Sequence, residues 1–166
     1  GSIDSKGLTL KIIIALKKIL KKYNYDIKII ILLSSLSPIV SETKNKIRND
    51  KRFSLLIDKA HLSNIYSNVD FAIGSLGVSF LERLYVGIPS LVIIQNKTQK
   101  KLESYWKKEK CALIINNINT NFAKFFLNYF NNYNMQKNYV KNGQKLIDGK
   151  GAFRVYKSMM ELIESD

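Results

Sequence analysis

"VDFAIGSLGVSFLERLYVGIPSLVII", residues 69–94, holds an apolar run, a glycine-bearing break, an amphipathic stretch, a Gly-x-Pro stop and a second apolar run. A short apolar run, a helical period and another short run form the pattern of a strand-helix-strand unit with parallel strands. The break then stands where a buried strand ends and a helix begins, the place where open α/β sheets take their ligands. A helix starting there aims unpaired amides and the positive end of its dipole beyond the strands, which suits a phosphate. Gly74 and Gly77 allow a sharp turn and a close approach because neither has a Cβ. Ser79 can then cap the helix or bind a ligand. Ser79-x-x-Glu82 also matches a capping box, in which Glu82 returns to the backbone, so both readings stay open. The turn has neither the Gly-Lys-Ser/Thr of P-loops nor the Gly-x-Gly-x-x-Gly of dinucleotide folds, which weighs against ATPase and NAD readings.

The same alternation extends in both directions. Leu8, Ile12, Ala15, Leu16 and Ile19 keep helical spacing with lysines opposite, predicting a helix over 8–22. "IKIIILL" (27–33) reads as a strand covered on both faces. "SSLSPIVSETKNKI" (34–47) offers Ser37 as N-cap and Pro38 at the first helical position of a helix reaching about Asn49. "FSLLI" (53–57) is a strand and "AHLSNIYSNV" (60–69) a short helix. Beyond the opening stretch, "KLESYWKKEK" (101–110) is a helix, "ALII" (112–115) a strand and "NNINTN" (116–121) a loop. Helices broken at "NYN" and "DGKG" fill about Asn121 to Ser165. The expected architecture is α/β, a doubly wound parallel sheet of Rossmann-like type in a single domain over 1–166. The first helix has no strand before it, which is unusual for right-handed crossovers and suggests a chain that begins mid-fold.

Composition narrows the function. The 166 residues, 46% of them hydrophobic, suffice for one core. No apolar run approaches the roughly 20 residues of a membrane span. Cys111 is the sole cysteine, so no disulfide or cysteine-rich metal site forms within the chain, and a cytoplasmic location fits. The formal charge of +14 invites a nucleic-acid reading, yet of 27 basic residues only Arg48, Arg52, Arg83 and Arg154 are arginine. Base-edge and bidentate phosphate recognition favour arginine, so the excess reads as a solvated surface, and no nucleic-acid partner is expected. His61 is the one histidine, too few ligands for a metal, and reads as a surface residue. Asp4 either orients substrate or caps the first helix. Asp148 to Arg154 reads as an ordinary break between helices rather than an anion site. Phe122, Phe125, Phe126, Tyr129, Phe130 and Tyr133 recur at helical spacing, as in a helix covering the core.

Four segments also carry a resemblance. "GSIDSKGLTLKI" is similar to Gly-Gly-x-Asp-x-x-Asn-Leu-Thr-Leu-Lys, "SLGVSFLE" to Gly-Gly-x-Thr-x-x-Glu, "TQ" to Asn-Gln, and "DGKGAFRV" to Asp-Gly-x-Gly-Ala-x-Arg-Val. In this order they resemble the nucleotide-binding, carboxyl-terminal half of GT-B sugar-nucleotide enzymes. The likeness is nearest to the UDP-sugar hydrolase of pseudaminic acid biosynthesis and its spore-coat polysaccharide relatives, and more distant to the glycosyltransferase that makes lipid II. Leu76, Val78, Ser2 and Gly7 depart from the group, which often has glycine, threonine, glycine and asparagine there.

The resemblance implies that UDP or a UDP-sugar binds, with no cofactor and no metal. Ser75, Leu76, Gly77, Val78 and Ser79 would line the diphosphate turn, and Glu82 would accept from the ribose hydroxyls. The backbone at Ile57 and Asp58 would read the uracil edge, and Asp4 and Gln99 would contact sugar or phosphate. It further implies that an amino-terminal GT-B half is missing, with Gly1-Ser2 either native or an expression scar. That half would supply the general base, a histidine in the resembling hydrolases, leaving this chain to bind without turnover. Two alternatives stand beside UDP-sugar hydrolysis: the donor-binding half of a glycosyltransferase, and a basic module for nucleic acid or a protein partner.

Overall fold

A computed structural model describes residues 3–119 and 121–164. The expectations placed on Gly1, Ser2, Thr120 and Ser165 lie outside the described residues. The elements run α1 (Leu8–Lys22), β1 (Ile29–Leu33), α2 (Val40–Ile47), β2 (Phe53–Ile57), α3 (Ser63–Tyr66), β3 (Ala72–Ser75) and α4 (Val78–Val86). They continue with β4 (Ser90–Ile93), α5 (Lys97–Lys108), β5 (Leu113–Ile115), α6 (Phe122–Phe130), α7 (Tyr133–Leu146) and α8 (Gly151–Glu164).

All the strand pairs are parallel, and they form two ladders, β1-β2 and β3-β4-β5. Ile29 stands opposite Phe53, Ala72 opposite Ser90, and Leu91 opposite Leu113. The alternation of side chains along β4 shows why the fold is doubly wound. Leu91 and Ile93 enter a core with Ile13 and Leu16 of α1 and Phe122, Phe126 and Tyr129 of α6, whereas Val92 enters a second core with Phe80 and Leu84 of α4. Helices thus cover both faces, and this is the Rossmann-like α/β arrangement that the alternation predicts. Ile31 and Leu33 of β1 join the α1/α6 core, which places both ladders under one helical layer. Cys111 is a buried free thiol in the α4 core.

Local chemistry sets the element ends. α4 stops at Gly87, whose φ of 84° is left-handed and whose amide donates to the carbonyls of Arg83 and Leu84; this conformation favours glycine. α1 starts on Asp4, buried, whose carboxylate accepts from the amides of Leu8, at 3.0 Å, and Thr9. Those are two of the donors a helix start leaves unpaired.

Three expectations are corrected. Ser37 is not the cap of α2: its hydroxyl accepts from the amide of Asp4, residues 38–39 form a turn, and the helix begins at Val40 behind Ile39. β1 is not covered on both faces: Ile31 and Leu33 are buried, whereas Ile30 is 39% exposed. Of the aromatic stripe, Phe122, Phe126 and Tyr129 are buried, but Phe125 and Tyr133 are exposed, Tyr133 because it opens α7 rather than continuing α6.

Candidate functional site

The sequence break between β3 and α4 is an uncapped helix start. Gly77 is the N-cap residue in an extended conformation, and no side chain bonds the helix there. Its carbonyl accepts from Phe80 at 2.9 Å, while the amides of Val78 and Ser79 have no acceptor among the described residues. Val78 is 75% exposed, so the turn is open to solvent. Leu76 sends its side chain into the core with Phe80 and Leu84, leaving only its backbone at the turn. Ser75, half-buried, ends β3.

The capping-box alternative for Ser79 and Glu82 fails. Glu82 does not return to the backbone; its Oε2 accepts from the Tyr66 hydroxyl at 3.1 Å. Burial first, and that bond second, push the Tyr66 pKa up to about 12, so Tyr66 remains a donor at neutral pH. Glu82 is exposed one helical turn beyond Val78, on the same face of α4. Its Oε1 has no partner among the described residues. The carboxylate is therefore held by one oxygen and offers the other.

Beneath the turn lies Arg83, which is buried. Its Nε donates to the Ser90 hydroxyl at 3.2 Å and its Nη2 to the Ser75 carbonyl at 3.3 Å, with the guanidinium 5.8 Å from the centre of the Phe80 ring. Burial lowers its pKa, opposed by the nearby Tyr66 and Glu82. A Cβ on Gly74 would stand 3.0 Å from Nη1, so the glycine makes room for the guanidinium as well as for the turn.

At the end of β2, Asp58 takes a left-handed φ of 52°, a region that Asp tolerates better than most residues. Its amide donates to the Leu33 carbonyl at 3.0 Å, and its Oδ1 accepts from the Ser35 amide at 2.9 Å. Hydrogen bonds from Ser35 hold its carboxyl below the usual range. The Asp58 side chain thus fixes the β1 loop. Ile57 differs: the even-numbered residues of β2 turn their amides and carbonyls toward β1, so both polar groups of Ile57 face the outer edge. A donor and an acceptor side by side are what a pyrimidine edge requires.

Asp4 spends both carboxylate oxygens on α1, which favours the cap over a substrate role. Gln99 lies in the first turn of α5, with Oε1 accepting from the Gln95 amide at 2.9 Å and its own amide donating to Asn96 at 2.8 Å. Its Nε2 has no partner among the described residues. Lys6 donates to the Gln95 carbonyl, and Lys6, Gln95, Asn96, Lys97, Lys100 and Asn116 line an open depression beyond the carboxyl ends of β4 and β5. His61 is exposed. Arg154 pairs with Asp148 at 2.7 Å, pulling the Asp148 pKa to about 2, so this arginine locks its own turn. No cluster of three His, Cys, Asp or Glu that could hold a metal occurs among the described residues, and no helix among them is long and apolar enough to cross a membrane.

The chain is similar to the spore coat polysaccharide biosynthesis protein SpsG of Bacillus subtilis (strain 168), with 24% identity over 174 aligned positions. The alignment covers 100% of this chain and 50% of SpsG, so the chain spans about half the length of that relative. This is a distant relation to a polysaccharide biosynthesis protein. No protein-family profile matches the chain, and no solved structure matches it.

Three residues at the site are not evident from motif spacing. Arg83 had a readable signal, since it falls three positions after Phe80 and one before Leu84, within the apolar stripe of α4. Tyr66 and Lys6 had none, because their partners, Glu82 and Gln95, are 16 and 89 residues away.

Proposed function

We propose that this domain is the UDP-sugar-binding half of a GT-B enzyme of surface polysaccharide or nonulosonic acid biosynthesis, whose reaction hydrolyses the sugar nucleotide and releases UDP. The observation that carries the reading is the β3-α4 turn, where the free amides of Val78 and Ser79 share an exposed helix face with a carboxylate that is not a cap. Amides at a helix start neutralise diphosphate charge without a metal. A carboxylate held by one oxygen accepts from a ribose diol with the other. Ile57 supplies a backbone donor and acceptor for uracil, and Gln99 offers its Nε2 to the sugar or phosphate, while Asp4 holds the start of α1. The relation to SpsG supports the biosynthetic setting. The general base belongs to the other half of the enzyme.

Calorimetric titration with UDP, ADP and GDP at physiological salt tests the reading. UDP saturates one site and binds more tightly than the purine nucleotides. Glu82→Ala loses about 1–3 kcal/mol of UDP affinity, the worth of its charge-assisted hydrogen bonds, while Tyr66→Phe loses less because the carboxylate stays. Equal responses to all three nucleotides that fade together with added salt would instead mark nonspecific attraction to a cationic surface, and the reading would fall.

A further inference from the structure

The basic side chains are unevenly spread. Residues 8–52 hold eleven basic and three acidic side chains, a net of +8 within a chain total of +14, whereas residues 53–96 hold two basic and three acidic ones. The first of these segments supplies most of one helical layer: α1 packs against both α2 and α6, and the three send side chains into one core. With Leu10, Ile13, Leu16, Ile19 and Leu20 of α1 buried, the residues Lys11, Ile14, Lys18, Lys21 and Lys22 form an exposed stripe on its other side, at intervals of three and four. Lys44 and Arg48 are exposed opposite the buried Thr43 and Ile47 of α2. Lys124 and Phe125 are exposed on α6.

None of these cations pairs with a carboxylate among the described residues. α1 and α6 contain no acidic residue, and α2 has only Glu42. Asp50, beside them, is taken by Lys17 and Arg52. A helix face that is merely solvated mixes the signs, as α5 does where Lys100 and Lys107 both pair with Glu103. Lys18 instead stands three and four positions from Lys21 and Lys22, spacings at which like charges destabilise a helix. Lys21 and Lys22 suit the dipole at the end of α1, but Lys11, in its first turn, opposes it. An anionic surface laid over the layer relieves this repulsion.

We infer that the outer face of the α2, α1 and α6 layer docks on a membrane of anionic lipid, at the level of the headgroups. The apolar stripe of α1 is spent on the core, so the helix does not insert; its lysine side lies against the headgroups, each lysine contributing about fivefold in affinity. Ile14, 40% exposed, and Phe125, 42% exposed, stand among the cations and gain burial at the acyl boundary. Ile14 gains nothing from a phosphodiester backbone, and lysine outnumbers arginine on this face, so lipid is favoured over a nucleic acid. α4 belongs to the other core, which leaves the open turn at Val78 accessible while the layer is docked. Docking of this face requires no nucleotide.

Vesicle cosedimentation without nucleotide tests it, at about 0.15 M salt, with vesicles of phosphatidylcholine alone and vesicles containing roughly one third phosphatidylglycerol. The chain should pellet saturably with the anionic vesicles and stay in solution with the neutral ones. Lys18→Glu/Lys21→Glu should weaken binding at least about 25-fold. Lys101→Glu/Lys108→Glu makes the same charge change on α5, which packs in the opposite layer through Trp106, and should weaken it less than about threefold. Ile14→Ser, which leaves every charge in place, should weaken it at least about threefold. All the substituted side chains are exposed, so the variants keep the fold, which circular dichroism checks. Equal behaviour with anionic and neutral vesicles would overturn the inference. Equal losses from the two double variants would mark attraction by net charge alone and overturn it too. Saturable capture of RNA in preference to the anionic vesicles would assign the face to nucleic acid, with the same result. None of these outcomes involves UDP, so failure here is distinct from failure of the functional reading.

Discussion

Phe80→Ala lowers the unfolding free energy by about 3–5 kcal/mol, and denaturant titration of the purified chain should show it as a fall in midpoint without a change in slope. Phe80 is 0% exposed, and its ring meets that of Trp106 edge-on at 5.2 Å. It is also the residue through which α4 grips the face of the sheet, with Leu76, Leu84 and Val92 around it. Removing the ring forfeits its transfer energy and leaves a cavity that Leu76 and Leu84, already buried, cannot close. Phe80→Leu, which keeps most of the volume, should cost less than half as much. A loss below about 1 kcal/mol for the alanine variant, the level of ordinary surface changes, would mean that α4 is not docked as described. The open helix start at Val78 would then lose its fixed position.

Arg83 gives the second large effect, through a different mechanism. Arg83→Ala should cost about 2–4 kcal/mol, since it removes a packed side chain and strands the Ser75 carbonyl and Ser90 hydroxyl that the guanidinium joins. Arg83→Met separates the two contributions. It restores most of the bulk and removes a buried charge that has no carboxylate within salt-bridge distance among the described residues, so part of the hydrogen-bond loss is offset by relief of desolvation. The methionine variant should therefore be clearly more stable than the alanine one. Equal losses would assign the whole effect to the hydrogen bonds and none to packing. The same pair also probes the site: both variants release the end of β3, so both should weaken UDP binding if the turn at Ser75 to Ser79 holds the diphosphate.

Much of the fold was legible because its elements are signalled locally. The branched runs at 29–33, 53–57 and 90–93 could be little other than strands, and Gly77 and Gly87 bracket α4 on sight. What sequence could not supply was partnership across the fold. Ser37 looks like a cap until Asp4, 33 residues earlier, claims its hydroxyl. Ser79 and Glu82 fit a capping box until Tyr66 draws the carboxylate away. Alternating strands and helices foretell parallel pairing, but periodicity does not say which edges meet, so the separation of the two ladders was invisible. The site divides the same way. The turn and Glu82 stand out by spacing, whereas the outward-facing backbone of Ile57 follows only from the register of β2 against β1.

The buried thiol of Cys111 has a practical consequence. Only 2% exposed, with its pKa pushed up to about 11 by burial, it has almost no thiolate to offer a reagent at neutral pH while the domain stays closed. Alkylation can then proceed no faster than the second core opens, which makes the native cysteine a built-in stopwatch for breathing of the region where β5 meets α4 and α5.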